Sequence, residues 1–224
     1  MSSPNHSEST VLKIVKEYLE KKTFFSIIDM IEYISYRVKK TDLNRNKIEQ
    51  IIKNLIKKRI IIPGTKLMKN NIIENPKRNE IYNFIKKNPS NINEIMKALN
   101  TGSNQALWHL SCLEKFQFVR SKKIGNRRIF YMFDSNPKFD ELHYYLRITI
   151  VRKIINLMKK ENKPLKITKI VSTLKKNHNT IRKYIVVLEN LKLLKIEKED
   201  NRIVYSLDLD EYSSIKKSIT GLLS

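Results

Sequence analysis

The sequence predicts a mainly α protein with small β-hairpins, an α+β fold built from a unit that is used more than once. The first observation is a repeat: Leu113 and Glu114 recur as Leu188 and Glu189, 75 residues further along the chain. The second is that, in each copy, apolar residues at helical spacing give way to two short runs typical of strands, separated by turn residues. A repeat of this length indicates a structural unit, so function is to be sought in what one unit does.

The copy over residues 74–135 is predicted to form three helices and a hairpin. Ser103 closes a turn and is expected to cap the third helix. Gly125-Asn126 is expected to join the two strands, because both residues tolerate positive φ. The predicted elements are helices Arg78–Lys87, Asn93–Leu99 and Asn104–Phe116 and strands Phe118–Lys123 and Arg127–Met132. Three helices and a hairpin make a winged helix-turn-helix module, whose hairpin is the wing.

The copy over residues 148–210 repeats this order, with its hairpin turning at Asp200-Asn201. Its predicted elements are helices Val151–Lys160, Thr168–Leu174 and Asn179–Leu191 and strands Leu193–Lys198 and Arg202–Leu207. The two copies share core positions, such as Leu113 with Leu188, but differ on their surfaces. A division of labour between the modules is therefore favoured over two equivalent ones.

Residues 10–73 are interpreted as a third, divergent module, which makes three tandem modules in all. Asn44 is expected to cap its third helix, and Pro63-Gly64 is a turn signal that predicts a truncated wing. Its apolar stripes are Leu12, Val15 and Leu19; Ile27, Ile28, Ile31 and Ile34; and Ile48, Ile51, Ile52 and Leu55. The remaining segments are predicted to be a disordered N-terminus (1–9), a linker helix (136–147) and a C-terminal helix (211–224).

The composition indicates a polyanionic partner. The chain has 45 Lys and Arg against 22 Asp and Glu, a net charge of +23, which favours nucleic acid or an anionic surface. A membrane span is not expected, and the single cysteine, Cys112, fits a reducing, cytoplasmic location. The sequence has four scattered histidines, no phosphate-binding glycine motif and no clustered acid pair. We therefore expect no metal, no cofactor and no enzymatic activity. No set of residues in the sequence stands out as a pocket for a small effector, which leaves an effector open.

Two stretches resemble a known family. They are Asn75-Pro76-Lys77-Arg78-x-x-Ile81 and Trp108-His109-Leu110-x-x-Leu113-Glu114, the latter followed by a basic hairpin. Together they resemble archaeal winged-helix transcriptional regulators of the ArsR/MarR type, most closely over residues 75–133 and also over 150–208. The resemblance implies binding of double-stranded DNA, with the third helix of each module in the major groove and the wing on the backbone or minor groove.

Side chains near the start of each third helix are the candidate base contacts, because this part of a recognition helix meets base edges. Asn side chains can pair with adenine, and Arg and Lys with guanine or phosphate. Trp108 is interpreted as filling a groove between modules slightly more readily than touching DNA, and His109 as packing in the interior. The candidates are Ser103, Asn104, Gln105 and Trp108 in the middle module and His178, Asn179, Arg182 and Lys183 in the third.

The two wings carry opposite charge. The middle wing is basic, with Arg120, Lys122, Lys123, Arg127 and Arg128 as candidate phosphate or minor-groove contacts. The third wing is acidic around its turn, with Glu197, Glu199 and Asp200. These charges would repel phosphate, which indicates either a wing that does not contact DNA or a contact with a protein partner. Two alternatives stay open: a homodimer formed through the peripheral helices, and a winged-helix scaffold for proteins, as in ESCRT-II-like adaptors or the basal transcription machinery.

Overall fold

The computed structural model describes residues 6–22, 26–39, 43–199 and 201–220, with side chains described to residue 214. The chain divides into two compact units. The first comprises residues 1–121 and 130–134, and the second comprises residues 122–129 and 135–224. Within the described residues, no helix is long and apolar enough to cross a membrane.

The N-terminal part of the first unit consists of helices α1 (His6–Lys21), α2 (Ile27–Arg37) and α3 (Arg45–Lys57). Asn44 caps α3 as predicted, because its side chain accepts a hydrogen bond from the backbone N–H of Lys47 at 2.9 Å. Two expectations are wrong. Residues 6–9 form the first turn of α1 rather than a disordered segment, and Ile27 and Ile28 are exposed. Met30, Ile31 and Ile34 face the core of this part instead.

The rest of the first unit begins with α4 (Pro76–Lys87), β1 (Ser90–Asn91), α5 (Ile92–Leu99) and α6 (Ser103–Lys115). Strands β2 (Val119–Ile124) and β3 (Arg127–Met132) follow in the chain, and the sheet order is β1-β3-β2. The end of this hairpin, residues 122–129, is counted with the second unit. Ser103 does not cap α6, because it is already the first helical residue and Gly102 precedes it as a cap without a side-chain hydrogen bond. The core contains Ile81, Ile95, Leu110, Leu113 and Phe130.

The second unit repeats this order with α8 (Thr149–Glu161), β4 (Leu165–Lys166), α9 (Ile167–Leu174) and α10 (His178–Asn190). Strands β5 (Leu194–Glu199) and β6 (Arg202–Leu207) complete a sheet of order β4-β6-β5. Both pairings are antiparallel, with Glu199 opposite Arg202 and Leu165 opposite Tyr205. The predicted linker and terminal helices are α7 (Asp140–Leu146) and α11 (Leu209–Thr220); residues 221–224 lie outside the described residues.

Helices α3, α6 and α10 end in the same backbone motif. Each is followed by one residue at positive φ, namely Arg59 at 55°, Gln117 at 58° and Lys192 at 57°. The backbone N–H of the next residue then donates to the carbonyl five residues earlier, from Ile60 to Leu55, Phe118 to Leu113 and Leu193 to Leu188, each at 2.9 Å. This is the Schellman motif, which satisfies the last carbonyls of a helix.

After each of these helices, a residue further along the chain forms a backbone hydrogen bond back to the last residue of the motif. The carbonyls of Phe118 and Leu193 accept hydrogen bonds from the N–H groups of Phe133 and Asp208, at 3.1 and 3.0 Å. The carbonyl of Ile60 accepts one from Lys69 at 2.9 Å, after a much shorter excursion. In that excursion the predicted truncated wing is reduced to one isolated bridge, between Ile61 and Met68.

The middle hairpin turns through Gly125-Asn126, but only Gly125 has positive φ, at 57°. This combination is typical of a type II′ turn rather than of the type I′ turn that two positive φ values would require. Strands β1 and β4 are two residues long and were not predicted, because two residues carry no readable alternation.

Candidate nucleic-acid interface

Helix α10 separates an apolar face from a polar face. Ile181, Ile185 and Leu188 are buried at i, i+4 and i+7. The helix starts at His178 because the side chain of Asn177 caps it, accepting a hydrogen bond from the N–H of Asn179 at 2.8 Å. All four predicted base contacts in its first two turns are exposed: His178, Asn179, Arg182 and Lys183.

The two cations on this face are available to an anionic ligand. Arg182 has no ion pair with any residue that the structure describes. The Nζ atom of Lys183 lies 5.6 Å from the ring centroid of Tyr184, a loose cation–π contact. An exposed guanidinium one residue from an exposed ammonium can neutralise phosphates or donate to guanine.

Helix α6 exposes uncharged groups in the equivalent place. Ser103, Asn104 and Gln105 are exposed in its first turn. Trp108 follows at 54% exposure, while Ala106 on the opposite face is fully buried. Trp108 is therefore largely exposed within its own unit, and its expected place in a groove between modules stays a prediction.

The inner side of Trp108 rests on a buried arginine that the sequence did not single out as functional. Arg78, 2% exposed, lies with its guanidinium carbon 5.1 Å from the centroid of the Trp108 ring. Its Nη1 donates to the carbonyl of Ile72 at 2.9 Å, which orients the guanidinium. Asn75 caps α4 and begins the turn that carries Arg78. This support presents the outer part of the indole to solvent.

His109 packs beside the indole, as predicted. Its ring centroid lies 4.9 Å from that of Trp108, and the residue is 3% exposed. Burial, with the charges of Arg78 and Lys77 adding to it, lowers the pKa of His109 below its usual value. Its Nδ1 atom has no hydrogen-bond partner among the residues that the structure describes, so the neutral imidazole is the favoured form.

The basic wing is less uniform than its sequence indicates. Arg120 is half-buried, with its guanidinium 5.2 Å from the ring centroid of Tyr131. Lys122 forms an ion pair with Glu141 at 3.1 Å. The exposed members of the predicted cluster are Lys123, Arg127 and Arg128.

The β5–β6 hairpin has a different surface. Glu197 and Glu199 are exposed on β5; Asp200, which was expected to add a third negative charge, lies outside the described residues. Ile196 and Ile203 are 41% and 49% exposed. The register pairs Ile196 with Tyr205 and Ile203 with Lys198, so the two isoleucines lie on one face of the sheet. No group of His, Cys, Asp and Glu side chains among the described residues could hold a metal ion.

Comparisons with known proteins identify part of this architecture. Residues 145–198 match the family described as the winged helix-turn-helix transcription repressor HrcA DNA-binding domain. The chain is 37% identical over 138 residues to an uncharacterized HTH-type transcriptional regulator of Methanocaldococcus jannaschii. That match covers 61% of this chain and 34% of the relative, so it spans about a third of the relative's length.

Among solved structures, the chain is similar to a bacterial selenocysteine-specific elongation factor, EF-Sec, at a TM-score of 0.28 and 16% identity. The match covers 89% of this chain and 29% of the EF-Sec chain. The family match confirms the predicted winged helix-turn-helix fold for the region that contains α8, α9, α10 and β5. The chain is thus similar to winged-helix transcriptional regulators, with residues 145–198 matching the DNA-binding domain of one such family.

Proposed function

We propose that the chain is a transcriptional regulator of the ArsR/MarR type that binds double-stranded DNA through tandem winged helices. The observation that carries the proposal is the exposed polar face at the start of α10, with Asn179, Arg182 and Lys183, inside the region that matches a DNA-binding family. In this role α10 lies in the major groove, where its first turns meet base edges.

In this proposal the modules make different contacts with DNA. Helix α10 supplies cations for the major groove, whereas α6 supplies neutral donors and acceptors and the flat face of Trp108. The exposed wing cations Lys123, Arg127 and Arg128 contact phosphates or a narrow minor groove. The shared ending of α3, α6 and α10 supports three winged-helix-like modules, of which the first has lost most of its wing.

Fluorescence anisotropy of a labelled mixed-sequence duplex tests the proposal. Binding of the intact chain is expected at low salt, and it is expected to weaken steeply as salt is added. Absence of binding at low salt would overturn the proposal. Selection of bound fragments from genomic DNA would then separate a sequence-dependent regulator from a general DNA-binding protein.

The fluorescence of Trp108 tests the part assigned to α6, because Trp108 is the only tryptophan in the chain. A base or sugar packed on the indole is expected to change its emission on addition of unlabelled duplex. Unchanged emission, under conditions where anisotropy shows binding, would remove α6 from the interface and leave α10 in it.

A second function, a scaffold that binds protein, is favoured by one surface. The β5–β6 hairpin combines exposed Glu197 and Glu199, which repel phosphate, with exposed Ile196 and Ile203. The two isoleucines lie on one face of the hairpin and the two glutamates on the other. Exposed apolar groups on a hairpin whose other face repels phosphate are more typical of a protein contact than of a DNA contact. Partners retained from nuclease-treated lysate by the intact chain, but lost by an Ile196→Ser/Ile203→Ser variant, would support the scaffold function.

A further inference from the structure

A groove of 680 Å³ lies in the first unit, and none of its lining residues belongs to α6. One wall is a stripe along α1, formed by Ser9, Leu12, Lys13 and Lys16 at spacings that bring them onto one side of the helix. The opposite wall is the reduced wing, with Ile60, Met68, Lys69 and Asn70. Phe118 completes the lining.

The interior of the groove is apolar. Met68 is 4% exposed, and Leu12, Ile60 and Phe118 are half-buried, each with part of its surface left to the groove. The Phe118 ring is held by an edge contact with Tyr82, at 5.7 Å between centroids. The volume of the groove lies within the range of about 300–1,000 Å³ that is typical of small-molecule sites.

The rim is cationic. Lys13, Lys16 and Lys69 are all among the lining residues, and no lining residue is acidic. Lys13 and Lys16 are exposed and form no ion pair with a described residue. Of the acids on α1, Glu8 is paired with Lys58 at 3.1 Å and Glu17 with Arg37 at 3.8 Å. The Nζ atom of Lys69 lies 5.7 Å from the Phe118 ring centroid, at the boundary between the charged rim and the apolar interior.

We propose that this groove binds a small amphipathic carboxylate, whose apolar body packs on Leu12, Met68 and Phe118 and whose carboxylate lies among the three lysines. An apolar interior alone would accept any apolar molecule, and three lysines alone would accept any anion. Their combination selects an anion with an aliphatic or aromatic body. The proposal does not depend on DNA binding, because it uses no residue of the nucleic-acid interface.

Isothermal titration of the intact chain with decanoate tests the charge and the apolar body separately. Saturable binding of decanoate is expected, with decanol weaker and decyltrimethylammonium weaker still, because the rim is cationic. Octanoate is expected to bind less tightly, by up to about 3- to 4-fold for each missing methylene if the tail is buried. Equal affinity for the anionic and cationic decyl compounds, or no binding of decanoate, would overturn the proposal.

Variants locate the site. Lys13→Gln and Lys16→Gln are each expected to weaken decanoate binding by about 2- to 5-fold, the size of an exposed ionic contact. Lys21→Gln is the matched control, because Lys21 is an exposed lysine on α1 that does not line the groove. Ser9→Trp is expected to abolish binding by filling the groove from an exposed position, with circular dichroism checking that the helices remain.

Methyl NMR spectra complete the test. Decanoate is expected to shift the methyl signals of Leu12, Ile60 and Met68. Shifts elsewhere, an equal loss of affinity in Lys21→Gln, or unchanged binding by Ser9→Trp would each overturn the proposal. Shifts of the same methyl signals with protein concentration alone would show instead that a second copy of the chain occupies the groove.

Discussion

Replacing Arg182 and Lys183 together with alanine is expected to flatten the salt dependence of binding to a mixed-sequence duplex. Both side chains are exposed on the polar face of α10. On DNA without a preferred site, cationic side chains act mainly by neutralising phosphates and releasing counterions. The double substitution therefore removes two phosphate contacts if α10 lies against DNA as proposed.

The size of the effect follows from those two charges. Each phosphate contact contributes about −0.9 to the slope of log affinity against log salt, so the slope is expected to become less steep by about 1.8. Between roughly 50 and 200 mM salt, a slope change of that size amounts to about 12-fold in affinity. The ratio of the affinity of the unmodified chain to that of the variant should therefore fall by that factor as salt rises across this range.

Anisotropy titrations at four or five salt concentrations measure both slopes. Lys153→Ala is the matched control, because Lys153 is an exposed cation on α8 of the same unit and lies outside the proposed interface. Its slope should stay near that of the unmodified chain. Parallel lines for the double variant and the unmodified chain would refute the placement of α10 on DNA, as would an equal flattening by Lys153→Ala.

Three predictions concern the fold that carries the interface. Leu188→Ala is expected to destabilise the second unit by about 2–5 kcal/mol in urea unfolding followed by circular dichroism, because Leu188 is 0% exposed and the change leaves a cavity. Lys192→Gly is expected to stabilise the same unit by up to about 1 kcal/mol, because a side chain at φ 57° is strained and glycine is not. The free energy of unfolding of the first unit, followed by Trp108 fluorescence, is expected to fall as pH drops below about 6.5. In that range the unfolded chain binds a proton at His109, whose folded pKa is lowered, so stability rises with pH. His109→Gln should reduce the dependence.

Matched changes check each of these predictions. Val186→Ala, at a 46% exposed position on α10, should lower the free energy of unfolding far less than Leu188→Ala. Lys153→Gly, in the middle of α8, should destabilise by about 1 kcal/mol, the opposite sign to Lys192→Gly. The pH argument would be contradicted if His109→Gln kept the full dependence of the first unit on pH.

Much of the local structure was predictable, because the signals are short-range. Helix α3 begins at its predicted cap, Asn44, and strands β3 and β6 have their predicted bounds. Apolar residues at helical spacing and turn residues between alternating runs require only neighbours along the chain. The start of α6 was missed by one residue because Gly102 and Ser103 are both common caps, and sequence does not say which one adopts the extended backbone.

The predicted site is only partly a property of the sequence. Helical spacing alone places Asn179, Arg182 and Lys183 on the face opposite Ile181 and Leu188, and the structure exposes them. The same reasoning could not separate the wing cations. Arg120 and Lys122 are drawn into contacts with Tyr131 and Glu141, whereas Arg127 stays exposed. Which partner a long cationic side chain finds depends on what the fold brings within a few ångströms of it.

The sequence by itself determined the apolar stripes of helices such as α6 and α10, the position of each long hairpin and the repeat of core residues such as Leu113 and Leu188, because these depend on neighbours in the chain. Only the tertiary structure decided that Arg78 supports Trp108 and that Leu12 and Phe118 line one groove. Those pairs are 30 and 106 residues apart in the chain. Contacts at such separations are set by how helices pack around a core, and no local periodicity carries that information.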